Sequence, residues 1–183
     1  NLIIAAMDVP TFGEMERIVD SVGDEVITYK VGHQLFTAEG PRVIRYLRQR
    51  DKNVFLDLKL HEIPNSVASA VRSAGNHGVD MITVHASGGR AMMAAGVEAA
   101  SEFPGLTILA LTVVTGLTDQ DLTEIGIDAS NDEQVNRLAR LAESSGCHGV
   151  IASPAETKML RDVLAAQSLI VTLGVRPAGT SAN

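Results

Sequence analysis

Short aliphatic runs alternate with amphipathic stretches along the whole chain. The runs are Leu2–Met7, Val26–Val31, Asn53–Leu58, Met81–His85, Leu106–Thr112, Gly149–Ala152 and Leu169–Thr172. Each is short and rich in Val, Ile and Leu, the composition of parallel strands buried on both faces. Between them the apolar spacing becomes helical. Met15, Ile18, Val19 and Val22 fall three and four apart, as do Val43, Ile44 and Leu47. The same spacing recurs in Val67, Ala70, Val71 and Ala74, in Val135, Leu138, Leu141 and Ala142, and in Met159, Leu160, Val163 and Leu164. Met92 and Met93 open a further helix and are expected to pack into the core. Gly78 and Gly146 stand where a helix end needs a left-handed residue before the next strand.

Strand–helix alternation repeated in this way predicts a parallel sheet. Its tempo, about twenty-odd residues per unit, is that of a (β/α)8 TIM barrel. An open doubly wound sheet shows a similar alternation. The stretch between Thr112 and His148 exceeds the other crossovers, and its polar front half, Thr115 to Asp128, predicts a flap or an extra helix. No linker interrupts the pattern, so residues 1–183 are expected to form one barrel domain. After Thr172 the chain reads as a loop. The eighth strand and closing helix of a full barrel are therefore expected to be missing from the given sequence.

Composition narrows this picture. The chain has 183 residues, 45% hydrophobic and only 3% aromatic, so the core is expected to be aliphatic. A net charge of −7 argues against nucleic acid as the main partner but not against a small anion. Cys147 is the one cysteine. It excludes an intrachain disulfide, fits a reducing compartment, and is read as a packed small residue at a strand entrance rather than a nucleophile. No apolar stretch reaches membrane-span length and none resembles a signal peptide, so a cytoplasmic location is expected.

In a (β/α)-barrel, catalytic groups stand at the C-terminal ends of strands. The first strand ends in Asp8, the second holds Lys30, and the third runs through Asp57 and Lys59 to His61 and Glu62. The fourth ends in His85, the fifth in Thr112 with Thr115 beyond it, and the seventh leads to Arg176. Asp57 and Lys59 are two apart and so project from one face of an extended strand. Buried charges persist only when paired, and Asp8 with Lys30 could complete an alternating network. One such pair is equally well a structural salt bridge; four charged groups at strand ends favour function. A lysine held between carboxylates can protonate a developing carbanion, and a nearby carboxylate can repel a substrate carboxylate. These residues alone point to a decarboxylase or an enolate-type enzyme.

His61 and His85 lie near this expected site without metal-ligand spacing and are read as packing or supporting groups, and His33, His77 and His148 as surface or loop residues. Gly88-Gly89 is compatible with a close backbone approach to a ligand and equally with an ordinary turn.

The segment Phe55-Leu-Asp-Leu-Lys-Leu-His-Glu-Ile-Pro-Asn-Ser66 resembles the signature of the orotidine 5′-phosphate decarboxylase family, Asp-x-Lys-x-x-Asp followed by Ile-Pro. Further matches occur in order at Ala6-Met-Asp8, Tyr29-Lys-Val-Gly32, Val84-His-Ala-Ser-Gly-Gly89, Leu111 to Thr115 and Gly174-Val-Arg-Pro177. The resemblance implies decarboxylation of orotidine 5′-phosphate to uridine 5′-phosphate without metal or organic cofactor. It also implies that Asp8 holds the ribose, that Lys30 contacts ribose and links the charges, that Asp57 sits by the scissile carboxylate, and that Lys59 protonates C6. Thr115 would lie at the base, Arg176 at the phosphate, and Ile63 and Ser66 would reach across a homodimer interface into the neighbouring site. Glu62 replaces the family's second aspartate, also shared across the dimer, with a side chain one methylene longer. Leu173 replaces a frequent proline. The family's phosphate-loop glutamine and second phosphate arginine have no counterparts in the given sequence. Alternatives are a Mg²⁺-dependent sugar-phosphate decarboxylase or synthase of the same superfamily, from which Ile63-Pro64 points away, and a non-catalytic binding protein on a barrel scaffold.

Overall fold

The computed structural model describes residues 3–175. Among these, seven parallel strands form one sheet in the order β1-β2-β3-β4-β5-β6-β7. They are β1 (Ala5–Ala6), β2 (Thr28–Gly32), β3 (Asn53–Leu60), β4 (Met81–His85), β5 (Thr107–Leu111), β6 (Gly149–Ala152) and β7 (Leu169–Thr172). The helices are α1 (Phe12–Val22), α2 (His33–Glu39), α3 (Arg42–Arg48), α4 (Pro64–Asn76), α5 (Gly89–Ala100), α6 (Asp119–Glu124), α7 (Asn131–Ser144) and α8 (Thr157–Val163). Sequential strand order separates this α/β fold from a doubly wound sheet, whose order reverses at a switch point, and gives the curled sheet of a (β/α)-barrel.

Side-chain parity divides the molecule into two apolar regions. Val54, Leu56, Ile82, Val84, Ile108, Ala110, Val150 and Ala152 join the helices in the outer core. Residues of the opposite parity, Phe55, Leu109, Leu111 and Ile151, form a separate cluster with Ile4, Met81, Val171 and Leu173 on the concave side of the sheet. Strand side chains alternate faces, so the sequence must be apolar at both parities to fill both regions. Lys30, Asp57, Thr83 and His85 share the inner parity, and Lys30 pairs with Phe55, Thr83 with Leu109 and His85 with Leu111, so polar and apolar side chains meet on the inner face.

Local chemistry fixes the helix starts. Thr11 caps α1 by accepting from the Glu14 amide at 3.3 Å. Reciprocal capping boxes open α6 (Thr118 with Asp121) and α7 (Ser130 with Glu133). Pro64 begins α4 where its missing N–H costs nothing. The polar stretch after Thr115 carries the extra helix α6. Gly78 and Gly146 take φ of 80° and 87°, as the helix-end readings require. Met92 and Met93 are buried in α5. No helix among the described residues is long and apolar enough to cross a membrane.

Candidate active site

The third strand departs from regular pairing where the site begins. Leu56 pairs with Ile82 and Leu60 with Val84, so β3 spends four residues where β4 spends two. The two extra residues are an even number, and inward parity survives the irregularity. Leu58 and Leu60 still pack on the outer core, leaving Asp57 and Lys59 on the inner face. Lys59 itself takes φ of 48°, the left-handed region that a side chain enters only at a cost of about 1 kcal/mol.

Charges alternate along this rim. Lys30 Nζ lies 2.9 Å from Asp8 Oδ1 and 3.8 Å from Asp57 Oδ2. Lys59 Nζ donates to Asp57 Oδ1 at 2.9 Å. The side chains of Asp57 and Lys30 are 4% and 11% exposed, that of Lys59 25%, and that of Asp8 67%. The network thus runs from a buried carboxylate outward, with one lysine ammonium left partly open to the concave face. Asp57 cannot be held in an apolar strand without such partners, because an isolated buried carboxylate carries a prohibitive desolvation cost. The Asp8, Lys30, Asp57 and Lys59 side chains, from three neighbouring strands and their ends, therefore meet as expected.

Thr83, which the sequence reading passed over, completes this group. Its hydroxyl accepts from the Lys59 amide at 2.7 Å and donates to Asp57 Oδ1 at 3.0 Å. A polar residue at the inner parity of β4, midway between Met81 and His85, is the signal that could have revealed it.

Two of the histidines pack against each other beside the network. His61 and His85 stack with ring centroids 5.2 Å apart and an interplanar angle of 18°. Burial, then the nearby charges of His61 and Lys59, hold His85 below the usual imidazole range. The Ser87 hydroxyl meets its Nδ1 at 2.5 Å. A side chain at Gly88 would meet the Met92 thioether and crowd His61. His33 is exposed at the start of α2, His77 caps α4, and the exposed His148 accepts the Ile108 amide at 3.0 Å through Nδ1. Among the described residues no cluster of three or more His, Cys, Asp or Glu could hold a metal.

Other expected residues stand apart from the network within this chain. Glu62 is exposed, its carboxylate accepting the Ile63 amide at 2.6 Å. Ile63 is 62% exposed at the head of α4, with Ser66 half-buried one turn on. Thr115 is exposed in the loop after β5, bridging to Leu117. Thr112 is buried and donates to the Ile151 carbonyl at 3.2 Å, tying β5 to β6. Arg176 lies outside the described residues.

Comparison with known proteins agrees with this architecture. The chain is 44% identical over 180 residues to an orotidine 5′-phosphate decarboxylase of a Marinomonas species, covering 97% of this chain and 77% of that protein. It is also 44% identical over 185 residues to the enzyme of the same name from Moorella thermoacetica, covering 97% and 73%. The crystal structure of orotidine 5′-phosphate decarboxylase from Lactobacillus acidophilus superposes with a TM-score of 0.91 at 36% identity, over 96% of this chain and 82% of that one. A family model matches residues 1–183, and with these relatives it shows that the chain belongs to the orotidine 5′-phosphate decarboxylase / HUMPS family.

Proposed function

We propose that the Asp8–Lys30–Asp57–Lys59 network carries out decarboxylation by delivering a proton from Lys59 to C6 of the pyrimidine as carbon dioxide departs. The coarser statement follows from kinship: the chain is an orotidine 5′-phosphate decarboxylase of pyrimidine biosynthesis. The observation that carries the mechanism is the Lys59 ammonium, paired with buried Asp57 at 2.9 Å yet partly open to the concave face.

The substrate's C6 carboxylate enters beside Asp57, and repulsion between the two carboxylates is relieved when the carboxylate leaves as neutral carbon dioxide. The C6–carboxyl bond breaks, its electron pair stays on C6, and one Nζ proton of Lys59 forms the new C6–H bond. Water then returns a proton to the lysine. Charge developing at C6 is stabilised by an ammonium already fixed in place, so little reorganisation is needed during the reaction. Lys30 and Asp8 extend the charge network toward the ribose. The chemistry calls on no metal or organic cofactor.

Ile63, Ser66 and Glu62 are proposed to serve the neighbouring site of a homodimer. The exposure of Glu62 and Ile63 at the head of α4, away from this chain's own network, supports that assignment. Thr115 would meet the base and Arg176 the phosphate. A cytoplasmic setting fits the free thiol of Cys147.

The test is Lys59→Ala assayed on orotidine 5′-phosphate with chelator present. Turnover is expected to fall by roughly 10⁴-fold, the upper range for a positioned proton donor, with an unchanged circular dichroism spectrum. Near-normal turnover in a folded variant would remove Lys59 from the mechanism.

A further inference from the structure

We propose that Thr83 is a positioning residue for the reaction, fixing the Asp57 carboxylate and the Lys59 backbone through one hydroxyl. This inference rests on the roles given above to Asp57 and Lys59.

The irregular pairing of β3 creates the need. Where β3 runs four residues against two of β4, a backbone amide loses its partner in the ladder. A buried amide without an acceptor is strongly disfavoured, so the Lys59 N–H must find another group. It finds Thr83 Oγ1 at 2.7 Å. Thr83 is fully buried, which leaves no bulk water to substitute for that acceptor.

The same hydroxyl has only one proton to give. With the Lys59 amide occupying one lone pair, that proton is directed to Asp57 Oδ1 at 3.0 Å. Asp57 Oδ1 thereby accepts from Thr83 and from Lys59 Nζ at once, while Oδ2 faces Lys30. Thr83 therefore touches both ends of the Asp57–Lys59 pair: the carboxylate directly, and the lysine through its main chain. The left-handed φ of Lys59 is then held from outside, as a strained residue at a functional site must be. Without the hydroxyl, Lys59 is free to relax toward ordinary backbone geometry, and its ammonium leaves the position from which it reaches C6.

Thr83→Val keeps the shape and removes only the hydroxyl; Thr83→Ser keeps the hydroxyl and removes a methyl. In the full-length chain, Thr83→Val is expected to lower kcat about 10- to 100-fold while the Kd for uridine 5′-phosphate, measured by calorimetry, stays within about twofold. Thr83→Ser is expected to hold kcat within about threefold of the parent. A merely structural role would lower stability in both variants without separating kcat from product binding. A folded Thr83→Val with parental kcat overturns the inference, and so does a Thr83→Ser as slow as Thr83→Val. Should Thr83→Val fail to fold, the serine variant decides alone: kcat within about threefold supports the hydroxyl's role, and a larger loss in a folded protein overturns it. Lys59→Ala run in parallel separates the two claims. An active Lys59→Ala defeats the mechanism itself, whereas an inactive Lys59→Ala beside an unaffected Thr83→Val defeats only the assignment of Thr83.

Discussion

Lys59 Nζ lies 2.9 Å from Asp57 Oδ1 even though the backbone joining them is not a regular strand. Two residues of one parity on an extended strand would have their Cβ atoms pointing the same way but well separated along the chain. The left-handed turn at Lys59 lets the long side chain fold back toward Asp57 while Leu58 and Leu60 stay in the outer core. Chemistry and packing are served by the same irregularity, because an insertion of two residues alters spacing without exchanging faces.

Removal of Lys30 is expected to cost more than removal of its exposed partner. Lys30 is nearly buried between Asp8 and Asp57, whereas Asp8 is two-thirds exposed. Lys30→Met leaves the buried Asp57 with Lys59 and Thr83 only, and a loss of about 2 kcal/mol is expected, below the full cost of a buried charge left alone. Asp8→Asn breaks a pair that water partly screens, for which less than about 1 kcal/mol is expected. Urea denaturation of both variants checks the order. An Asp8→Asn loss exceeding that of Lys30→Met would mean that the outer pair, not the inner one, anchors the network.

The proposed dimer makes Ile63 its most exposed apolar probe. A charge there would be harmless on a free surface and costly in an apolar contact. Ile63→Glu, which also adds a negative charge beside Glu62, is expected to shift sedimentation equilibrium of the full-length protein toward monomer and to reduce turnover in step. A protein that is monomeric at micromolar concentration and fully active would end the shared-site proposal.

His85 gives the fold a defined response to acid. Burial, with the positive charges of His61 and Lys59, holds its imidazole below the ordinary value of 6.5. Above that value both folded and unfolded chains carry neutral His85. As pH falls below it, the unfolded chain takes up a proton that the folded chain resists, so stability is lost until the folded group also protonates. The melting temperature is therefore expected to decline as pH falls below about 6.5, and that of His85→Asn to decline less. Parallel curves for the two proteins would assign the acid sensitivity elsewhere.

Much of this architecture is legible in the sequence because parallel strands must be apolar at both parities. Met81–His85, Gly149–Ala152 and Leu169–Thr172 are strands with the boundaries expected of them. Elsewhere the apolar run exceeds the paired strand: within Leu2–Met7 only Ala5–Ala6 pairs, with β2, and Leu2 lies outside the described residues. Helix α2 escapes the periodicity since Leu35 is its one fully buried residue. The four charges are legible because charged residues stand out in aliphatic runs, and the structure brings them together. Thr83 does not stand out. In Met-Ile-Thr-Val-His a threonine looks like ordinary β-branched strand material, and its hydroxyl acquires a task only once β3 slips against β4. Such slippage leaves no mark in periodicity when the inserted number is even.

Cys147 provides a final check on which end of the sheet holds the chemistry. It lies just ahead of β6, at the N-terminal end of the strands, opposite the rim that carries Lys59. Burial pushes its thiol from 9.0 up to about 12. The thiolate is the reactive form, so labelling by a disulfide reagent at mildly alkaline pH should be much slower than for a free thiol and should accelerate on unfolding. Cys147→Ala is expected to lose about 1 kcal/mol through the small cavity it leaves, with turnover unchanged. Rapid labelling of the native protein would show that the β6 entrance opens readily. Loss of turnover in a stable Cys147→Ala variant would instead reveal coupling across the full length of the strands.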